Sequence, residues 1–187
     1  AEDVLHIASL GFKEVSVEPV VGTGDTLHLT EEHIPIILEE YDKLAKIYLD
    51  YRAKGNDFRF YHFNINLYDG PCVHRRLLAC GAGFEYLAVS PEGYLYPCHQ
   101  FVGQEEFIMG TVDKGIQNND IATYFKNCNI MTKDECRCCW AKFFCSGGCH
   151  ANAYFSNSDI QKPNELACIL QRKRIECALM IEAARAE

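Results

Sequence analysis

Hydrophobic and polar positions follow a regular order in three stretches near the start of the chain. Residues 11–21, GFKEVSVEPVV, are short and rich in β-branched side chains, which is typical of a buried strand. From Thr30 to Lys54 the apolar positions recur with helical spacing, and Thr30 is a suitable N-cap. Pro35 is expected to delay the regular helix by a turn. Residues 58–67 alternate between apolar and polar, which predicts a second strand.

A strand, a helix and a strand in this order predict a parallel βαβ unit. One such unit cannot cover both faces of its sheet, so residues 1–69 are interpreted as the C-terminal part of a larger TIM-like α/β barrel. In a barrel, the polar side of the second strand could face a lumen and contact a ligand. Local hydrogen bonding or exposure to solvent is the simpler interpretation. Both interpretations apply to His62, Asn64 and Asn66, and likewise to Glu18.

The pattern changes near residue 70, where cysteine becomes frequent. All eleven cysteines lie at or beyond Cys72. Residues 85–98 read as two short strands joined by a tight turn at Ser90–Gly93, which should bring Cys80 close to Cys98. From Pro163 onwards the sequence predicts a helix. This second half, residues 70–187, is therefore expected to be of the α+β class.

The composition narrows the range of possible partners and locations. The formal net charge of -8 argues against nucleic acid or an anionic membrane surface as the main partner. No apolar run is long enough to span a membrane, and AEDVLHIASLGFKEV has no features of a signal peptide. So many cysteines without a secretion signal indicate a reducing, cytoplasmic location, where thiols bind metal more readily than they form disulfides.

The densest cysteine segment has the spacing of a metal site. Cys136, Cys139, Cys145 and Cys149 form the pattern C-x2-C-x5-C-x3-C. A two-residue gap lets two thiolates face one centre, and the glycines after Cys145 let backbone N–H groups approach sulfur. Thiolates of this kind suit zinc and iron alike, so both metals remain open at this point.

The long-range spacing resembles the seven-cysteine signature of SPASM domains, which follow the barrel of many radical S-adenosylmethionine enzymes. The residues that carry this resemblance are C80-x12-G93-x4-C98, then C136-x2-C139-x5-C145-x3-C149, then C168. The amino-acid sequence of residues 70–110 and 135–154 is similar to that of maturases acting on six-cysteine SCIFF precursor peptides. The resemblance implies that a SPASM domain with a hairpin, cysteine-rich loops and a C-terminal helix follows a partial radical SAM barrel.

The same resemblance implies two auxiliary 4Fe–4S clusters. Cys80, Cys98 and Cys149 would hold the first cluster. The second would be held by Cys136, Cys139, Cys145 and Cys168. In related enzymes an upstream cysteine can complete the first cluster, and Cys72 is the candidate here. Otherwise an open iron would be available to a substrate thiol.

The catalytic C-x3-C-x2-C triplet of radical SAM enzymes does not occur in the sequence, because Asn152 stands where a third cysteine would follow Cys149. The chain is therefore expected to be a C-terminal fragment that is inactive alone. By resemblance, the full enzyme would use S-adenosylmethionine and a third 4Fe–4S cluster to install thioethers in a cysteine-rich precursor peptide. Its partners would be that peptide, the missing N-terminal barrel half and an external electron donor. Alternatives are another SPASM maturase, such as one for anaerobic sulfatase maturation, or a zinc-binding interaction module.

The other cysteines and two histidines are expected to play supporting roles. Cys128, Cys138 and Cys177 are interpreted as structural residues outside the ligand sets. His99 and His150 each follow a proposed ligand and are expected to orient it or to face solvent.

Overall fold

The computed structural model describes residues 1–22, 29–56, 58–65 and 72–185. Its α-helices are α1 (Glu2–Ser9), α2 (Ile34–Ala53), α3 (Val73–Leu78), α4 (Asn119–Asn127), α5 (Asp134–Arg137), α6 (Lys142–Cys145), α7 (His150–Asn157) and α8 (Glu165–Arg185). Its strands are β1 (Glu14–Val15), β2 (Arg59–Phe60), β3 (Ala88–Val89), β4 (Tyr94–Tyr96), β5 (Gly110–Thr111) and β6 (Gly115–Ile116). None of these helices combines the length and apolarity needed to cross a lipid bilayer.

The chain divides into two compact units. The first takes the described residues of Ala1–Val20, Asp25–Gly70 and Glu165–Glu187, and the second takes those of Val21–Gly24 and Pro71–Asn164. Helix α8 thus belongs by contact to the first unit, because its apolar side packs on α2. The sequence placed this helix with the cysteine-rich half. The predicted boundary near residue 70 lies outside the described residues, and the assignment of domains stays a prediction.

Helix α2 has the start and the buried stripe that its sequence predicts. His33 donates its backbone N–H to the side chain of Thr30, and the Thr30 backbone N–H donates to His33 Nδ1 at 3.0 Å. A 3-10 turn covers Glu31–His33, and α2 begins at Ile34 with Pro35 in its first turn. The delay expected from Pro35 is therefore confirmed. The buried residues of α2 are Tyr41, Leu44, Ala45 and Tyr48.

Strands β1 and β2 pair in parallel, with Glu14 opposite Arg59 and Val15 opposite Phe60. The predicted strands were much longer, and the alternation expected over residues 58–67 is wrong for the described residues 58–65. A 3-10 turn follows β2 at once, and such a turn places residues i and i+3 on the same side. Phe60 and Phe63 consequently share the core, with ring centroids 4.9 Å apart. Asn66, one of the proposed lumen-facing residues, lies outside the described residues.

The polar residues of this region bond locally, as the simpler interpretation had it. His62 is buried, and its Nε2 lies 2.8 Å from the carbonyl oxygen of Val17 and 3.2 Å from Glu18 Oε1. Arg174, which α8 buries beside them, donates from Nε to the Tyr41 hydroxyl at 2.8 Å. It also donates to Val17 O at 3.2 Å and to Glu18 Oε2 at 3.3 Å. One guanidinium thus ties α8 to α2 and to the segment after β1.

The second unit is built on a four-stranded antiparallel sheet of order β3-β4-β5-β6. The predicted hairpin is confirmed, because Ala88 pairs with Tyr96 and Val89 with Leu95. Its turn closes through Gly93 N–H, which donates to Ser90 O at 2.9 Å. Strands β5 and β6 were not predicted, since two-residue strands carry almost no pattern.

An aromatic core fills the second unit beneath this sheet. Phe101 is fully buried, and its ring centroid lies 4.3 Å from that of Phe107 and 5.5 Å from that of Phe125 on α4. Tyr154 on α7 joins the same group, with its ring 4.7 Å from Phe107. Aromatic pairs at these distances contribute roughly 0.5–1.5 kcal/mol beyond the area they bury. The core therefore fixes the end of β4 and the start of α7, the two places where Cys98 and Cys149 lie.

Replacing Arg174 with Met should lower the free energy of unfolding by about 1–3 kcal/mol, because the Tyr41 hydroxyl and Val17 carbonyl lose their buried donor. Urea unfolding followed by circular dichroism measures the change. Arg172→Met, which removes the same kind of charge from the same helix, is the control. Equal losses in the two variants would contradict the role given to Arg174.

Candidate metal centres

All eleven cysteines fall within the described range 72–185, and all are free thiols. The structure does not scatter them evenly. Within the second unit, two groups of three thiols are close enough to influence one another electrostatically. The first group is Cys80, Cys98 and Cys149, and the second is Cys136, Cys139 and Cys145.

The first group meets where three separate segments end. Cys98 is buried just after β4, and Cys149 is the N-cap residue of α7. Cys80 precedes a tight turn whose Gly83 N–H donates to Pro97 O at 2.9 Å. That backbone bond holds the turn against the end of the hairpin. The proximity of Cys80 and Cys98 therefore follows from the hairpin, as the sequence suggested.

The thiols of the first group also interact electrostatically. Burial is the main cause that raises the pKa of the Cys98 thiol. The backbone N–H of Gln100 acts in the opposite direction, as does that of Phe101. The thiols of Cys149 and Cys80 raise the pKa of Cys98 further, because neighbouring thiolates repel. Such a site favours thiolates only when a cation compensates their repulsion.

The second group lies on the loop from α5 to α7. Cys136 is buried on α5, and the Cys139 N–H donates to Cys136 O at 3.0 Å, so both thiols belong to one tight turn. Cys145 is the last residue of α6. After it the backbone enters the left-handed region at Ser146, Gly147 and Gly148, with φ of 59°, 93° and 73°. This reversal brings the N–H groups of both glycines onto the Cys145 sulfur.

Burial also dominates the electrostatics of the second group. It raises the pKa of Cys145, while the N–H groups of Gly147 and Gly148 lower it and the thiol of Cys139 raises it. For Cys136, burial again raises the pKa, and the ammonium of Lys133 opposes it. Cys145 and Cys139 then raise the pKa of Cys136. The sequence predicted N–H groups directed at sulfur in this loop, and the structure places them there.

The two remaining proposed ligands lie at the starts of helices. Cys72 is exposed at the N-cap position of α3. Cys168 lies in the first turn of α8, in the first unit, and is half-buried. The structure thus brings together three thiols of each proposed set, all within the second unit. Ligation by Cys72 and Cys168 remains a prediction.

The donor sets suit a polynuclear cluster better than a single ion. Among residues 1–22, 29–56, 58–65 and 72–185, no three His, Cys, Asp or Glu side chains converge closely enough to hold one metal ion. Zinc bonded at about 2.3 Å to thiolates requires sulfurs that nearly touch. Iron–sulfur clusters are held by thiolates spread around a larger body, and backbone N–H groups bonded to sulfur are typical of them. The backbone N–H groups at the Cys98 and Cys145 sulfurs agree with the second of these features.

The remaining cysteines and histidines have structural surroundings. Cys128 is fully buried and donates to Ile160 O at 3.2 Å, and burial raises its pKa to about 11. Cys177 is buried beside Ile181 in the first unit, whereas Cys138 is exposed. These positions agree with a role outside the ligand sets.

His99 and His150 differ from each other. His99 Nδ1 lies 3.1 Å from the Tyr86 hydroxyl at the surface. His150 is buried, and its Nδ1 lies 3.9 Å from Cys128 Sγ. Burial lowers the pKa of His150 to about 4, so the ring is neutral near pH 7. Exposure to solvent, one of the two roles considered from sequence, is therefore wrong for His150.

Lys133 is a residue that sequence reasoning missed. Its side chain is 1% exposed, and Nζ donates to Gly147 O at 2.9 Å. A lysine three residues before Cys136 looks like any surface charge in the sequence. Only the tertiary structure reveals that this ammonium lies inside the cysteine loop.

The close fit around Gly147 generates a stability prediction. A Cβ at Gly147 would lie 3.2 Å from Ile130 Cγ2, on a backbone with φ of +93°. Gly103 has φ of +92° with nothing within 4 Å, so it is a matched control. Gly103→Ala should cost about 1–2 kcal/mol from the left-handed backbone alone. Gly147→Ala should cost more in urea unfolding of the metal-free chain, and equal losses would show that close packing at Gly147 is unimportant.

Comparison with known proteins concerns the fold. No family model matches the chain, and no curated protein matches it in sequence. Among solved structures, it is similar to native anSMEcpe with bound AdoMet and Kp18Cys peptide, at a TM-score of 0.64 and 16% sequence identity. The match covers 98% of this chain and 53% of that one, so the chain spans about half the length of the solved structure. This likeness concerns the fold alone, in which helices are mixed with a small antiparallel sheet.

Proposed function

We propose that this chain is the auxiliary-cluster portion of a radical SAM peptide maturase and that it binds two 4Fe–4S clusters. One observation carries the proposal. Cys145 and Cys149 are close in sequence, yet Cys149 lies with Cys98 and Cys80, whereas Cys145 lies with Cys136 and Cys139. The SPASM resemblance implies this same partition. Two independent arguments, spacing and tertiary proximity, therefore support the same two ligand sets.

In the proposal, Cys80, Cys98 and Cys149 hold the first cluster, and Cys72 is its fourth ligand in the resting chain. The second set consists of Cys136, Cys139, Cys145 and Cys168. When bound, clusters of this kind supply one-electron transfer. Should Cys72 not bind, the first cluster would have a coordination position for a substrate thiol.

The residues around the thiols would prepare them for this role. N–H groups at Gln100 and Phe101 stabilise a thiolate at Cys98, and those at Gly147 and Gly148 do the same at Cys145. Hydrogen bonds to sulfur and restricted solvent access are the means by which proteins adjust cluster potentials. Burial of Cys98 and Cys136 would keep water from one side of each centre.

For the whole enzyme, we extend the proposal to a partial radical SAM barrel in residues 1–69 and to an N-terminal half that completes it. S-adenosylmethionine and a third 4Fe–4S cluster would act there. A 5′-deoxyadenosyl radical would take a hydrogen atom from a carbon of a cysteine-rich peptide. A peptide thiol would lose a proton and bond to that carbon, and an auxiliary cluster would accept the one surplus electron of this step. The external electron donor would supply the electron that cleaves S-adenosylmethionine to the radical, and we place these steps in the cytoplasm.

The similarity of residues 70–110 and 135–154 to SCIFF maturases supports thioether formation in this proposal. The bound peptide of anSMEcpe supports a peptide substrate equally for the sulfatase-maturation alternative. A zinc module is the weaker alternative, because the long-range seven-cysteine pattern resembles that of iron–sulfur SPASM domains. Expressed without oxygen, a brown chain with broad visible absorption would favour iron over zinc.

Anaerobic reconstitution should give about eight irons per chain, from two four-iron clusters. Cys139→Ala should lose one cluster, because its thiol belongs to the second group. Cys138→Ala is the matched control, since Cys138 is adjacent but exposed. Iron analysis with electron paramagnetic resonance measures the outcome.

A wild-type chain with about four irons and one spectroscopic species would contradict the two-cluster proposal. Equal iron loss in the Cys138 and Cys139 variants would contradict the ligand assignment. Cys72→Ala tests the fourth ligand separately. Unchanged spectra of the first cluster in that variant would remove Cys72 from the set.

With reductant and S-adenosylmethionine, the chain alone should form no 5′-deoxyadenosine, because it lacks the C-x3-C-x2-C triplet. A chain extended to include that triplet should form it and should lower the mass of a cysteine-rich peptide by about two hydrogens per thioether. Chromatography and mass spectrometry measure both products. 5′-Deoxyadenosine from the chain alone would contradict the proposed division of labour, and an unchanged peptide mass would contradict thioether formation.

A further inference from the structure

Lys133 is the most unusual charged residue in the second unit. It is the N-cap residue of α5, one turn before Cys136, and its side chain is almost completely buried. Its Nζ donates to the carbonyl oxygen of Gly147 at 2.9 Å. Lysine is rarely buried to this extent, because removing an ammonium from water is costly unless an anion compensates it.

No carboxylate of the described residues forms an ion pair with Lys133. The groups around Nζ that can become anions are thiols instead. Its charge interacts with Cys136 and Cys145, and Cys128 accepts a hydrogen bond from it. A carbonyl oxygen alone does not neutralise an ammonium. Lys133 is therefore buried inside the cysteine loop without a carboxylate partner among the described residues, where thiolates bound to a metal would supply the counter-charge.

The bond to Gly147 also has a geometric effect. The Gly147 carbonyl belongs to the turn whose N–H groups, at Gly147 and Gly148, are directed at the Cys145 sulfur. A Cβ atom on Gly147 would lie 3.8 Å from the Nζ of Lys133, so the ammonium group of Lys133 packs directly on this turn. The Gly147 carbonyl and the Gly148 N–H belong to one planar peptide group, so fixing the carbonyl also fixes the direction of the Gly148 N–H.

We propose that Lys133 is the buried counter-charge and positioning residue of the thiolate set Cys136–Cys139–Cys145. The inference deepens the proposed function, since it rests on that set being a metal centre. Cys128 is fully buried and belongs to neither proposed ligand set. Lys133 does not bind metal, because an ammonium has no lone pair. It acts through the charge and orientation of the ligands.

This role has a measurable consequence. Three thiolates and a metal carry net negative charge, which a fixed positive charge nearby stabilises. Removing that charge should weaken binding of a divalent metal to the thiolates. It should also make a cluster at this site harder to reduce, because the reduced form carries one more negative charge.

The first test titrates the reduced, metal-free chain with Cd²⁺ and follows the thiolate-to-metal absorption. The titration uses a Cys80→Ala variant, in which the first thiol set is weakened. The thiolate-to-metal absorption then reports binding at the second set. Lys133→Gln keeps a hydrogen-bond donor but removes the charge, and Lys133→Arg keeps the charge. Affinity should fall by about tenfold to a hundredfold in Lys133→Gln, as for other residues that support metal ligands, and Lys133→Arg should restore most of it.

Lys142 supplies a matched control. Its Nζ donates to Arg137 O at 2.7 Å, so it is another lysine of the same loop bonded to a backbone carbonyl, but it is not buried. Lys142→Gln should leave Cd²⁺ affinity unchanged. If Lys133→Gln does not fold, Lys133→Met replaces it, because the methionine side chain fills similar volume without a charge.

A second readout uses the reconstituted chain. The midpoint potential of the signal that Cys139→Ala abolishes should shift to more negative values in Lys133→Gln, and the other cluster should not change. Unchanged affinity and potential in Lys133→Gln would overturn the inference, as would equal defects in the Gln and Arg variants. Cd²⁺ binding that depends on Lys133, in a chain that takes up no iron, would uphold the inference and reject the proposed clusters. A chain that binds neither metal would overturn both.

Discussion

Thiols that are gathered into a small volume resist ionisation, and the second unit is arranged around this constraint. Burial and neighbouring thiols both raise the pKa of Cys98 and Cys136. The fold opposes them with two kinds of positive group. Backbone N–H groups point at Cys98 and Cys145, and one buried ammonium, that of Lys133, lies within the second group. In the proposed function, a bound metal centre would supply the rest of the compensation, and metal binding would then be coupled to folding of these loops.

The aromatic core explains how such loops can hold a defined geometry. The cysteine segments contain short helices and few regular hydrogen bonds, and they would be poorly ordered alone. Phe101 lies three residues after Cys98, and Tyr154 lies on the helix that Cys149 caps. Phe101 and Tyr154 pack with Phe107 and Phe125, and this packing therefore positions the thiols of Cys98 and Cys149. The geometry of the first group of thiols depends on rigid packing. That of the second group depends on the Lys133–Gly147 bond and the left-handed turn.

The first unit satisfies a different requirement, which is the pairing of buried polar groups. Arg174 brings a charge into the contact between α8 and α2, where the Tyr41 hydroxyl and the Val17 carbonyl accept its hydrogen bonds. His62 bonds the same carbonyl and Glu18. These residues lie just beyond the carboxyl ends of two parallel strands. A structural network therefore accounts for His62 and Glu18, two of the polar positions that the sequence left open to a ligand role.

The sequence by itself determined features that depend on residues a few positions apart, or on the regular spacing of residues along the chain. Thr30 and the apolar stripe define helix α2, and the Ser90–Gly93 turn defines the hairpin. The division of the cysteines into two sets came from the resemblance to SPASM domains. Only the tertiary structure decided that β2 stops at Phe60 and that Lys133 is buried. Caps, turns and periodic stripes act between residues a few positions apart, so the sequence displays them directly. Burial of a charge and truncation of a strand depend on groups far away in the chain, whose positions exist only once the chain has folded.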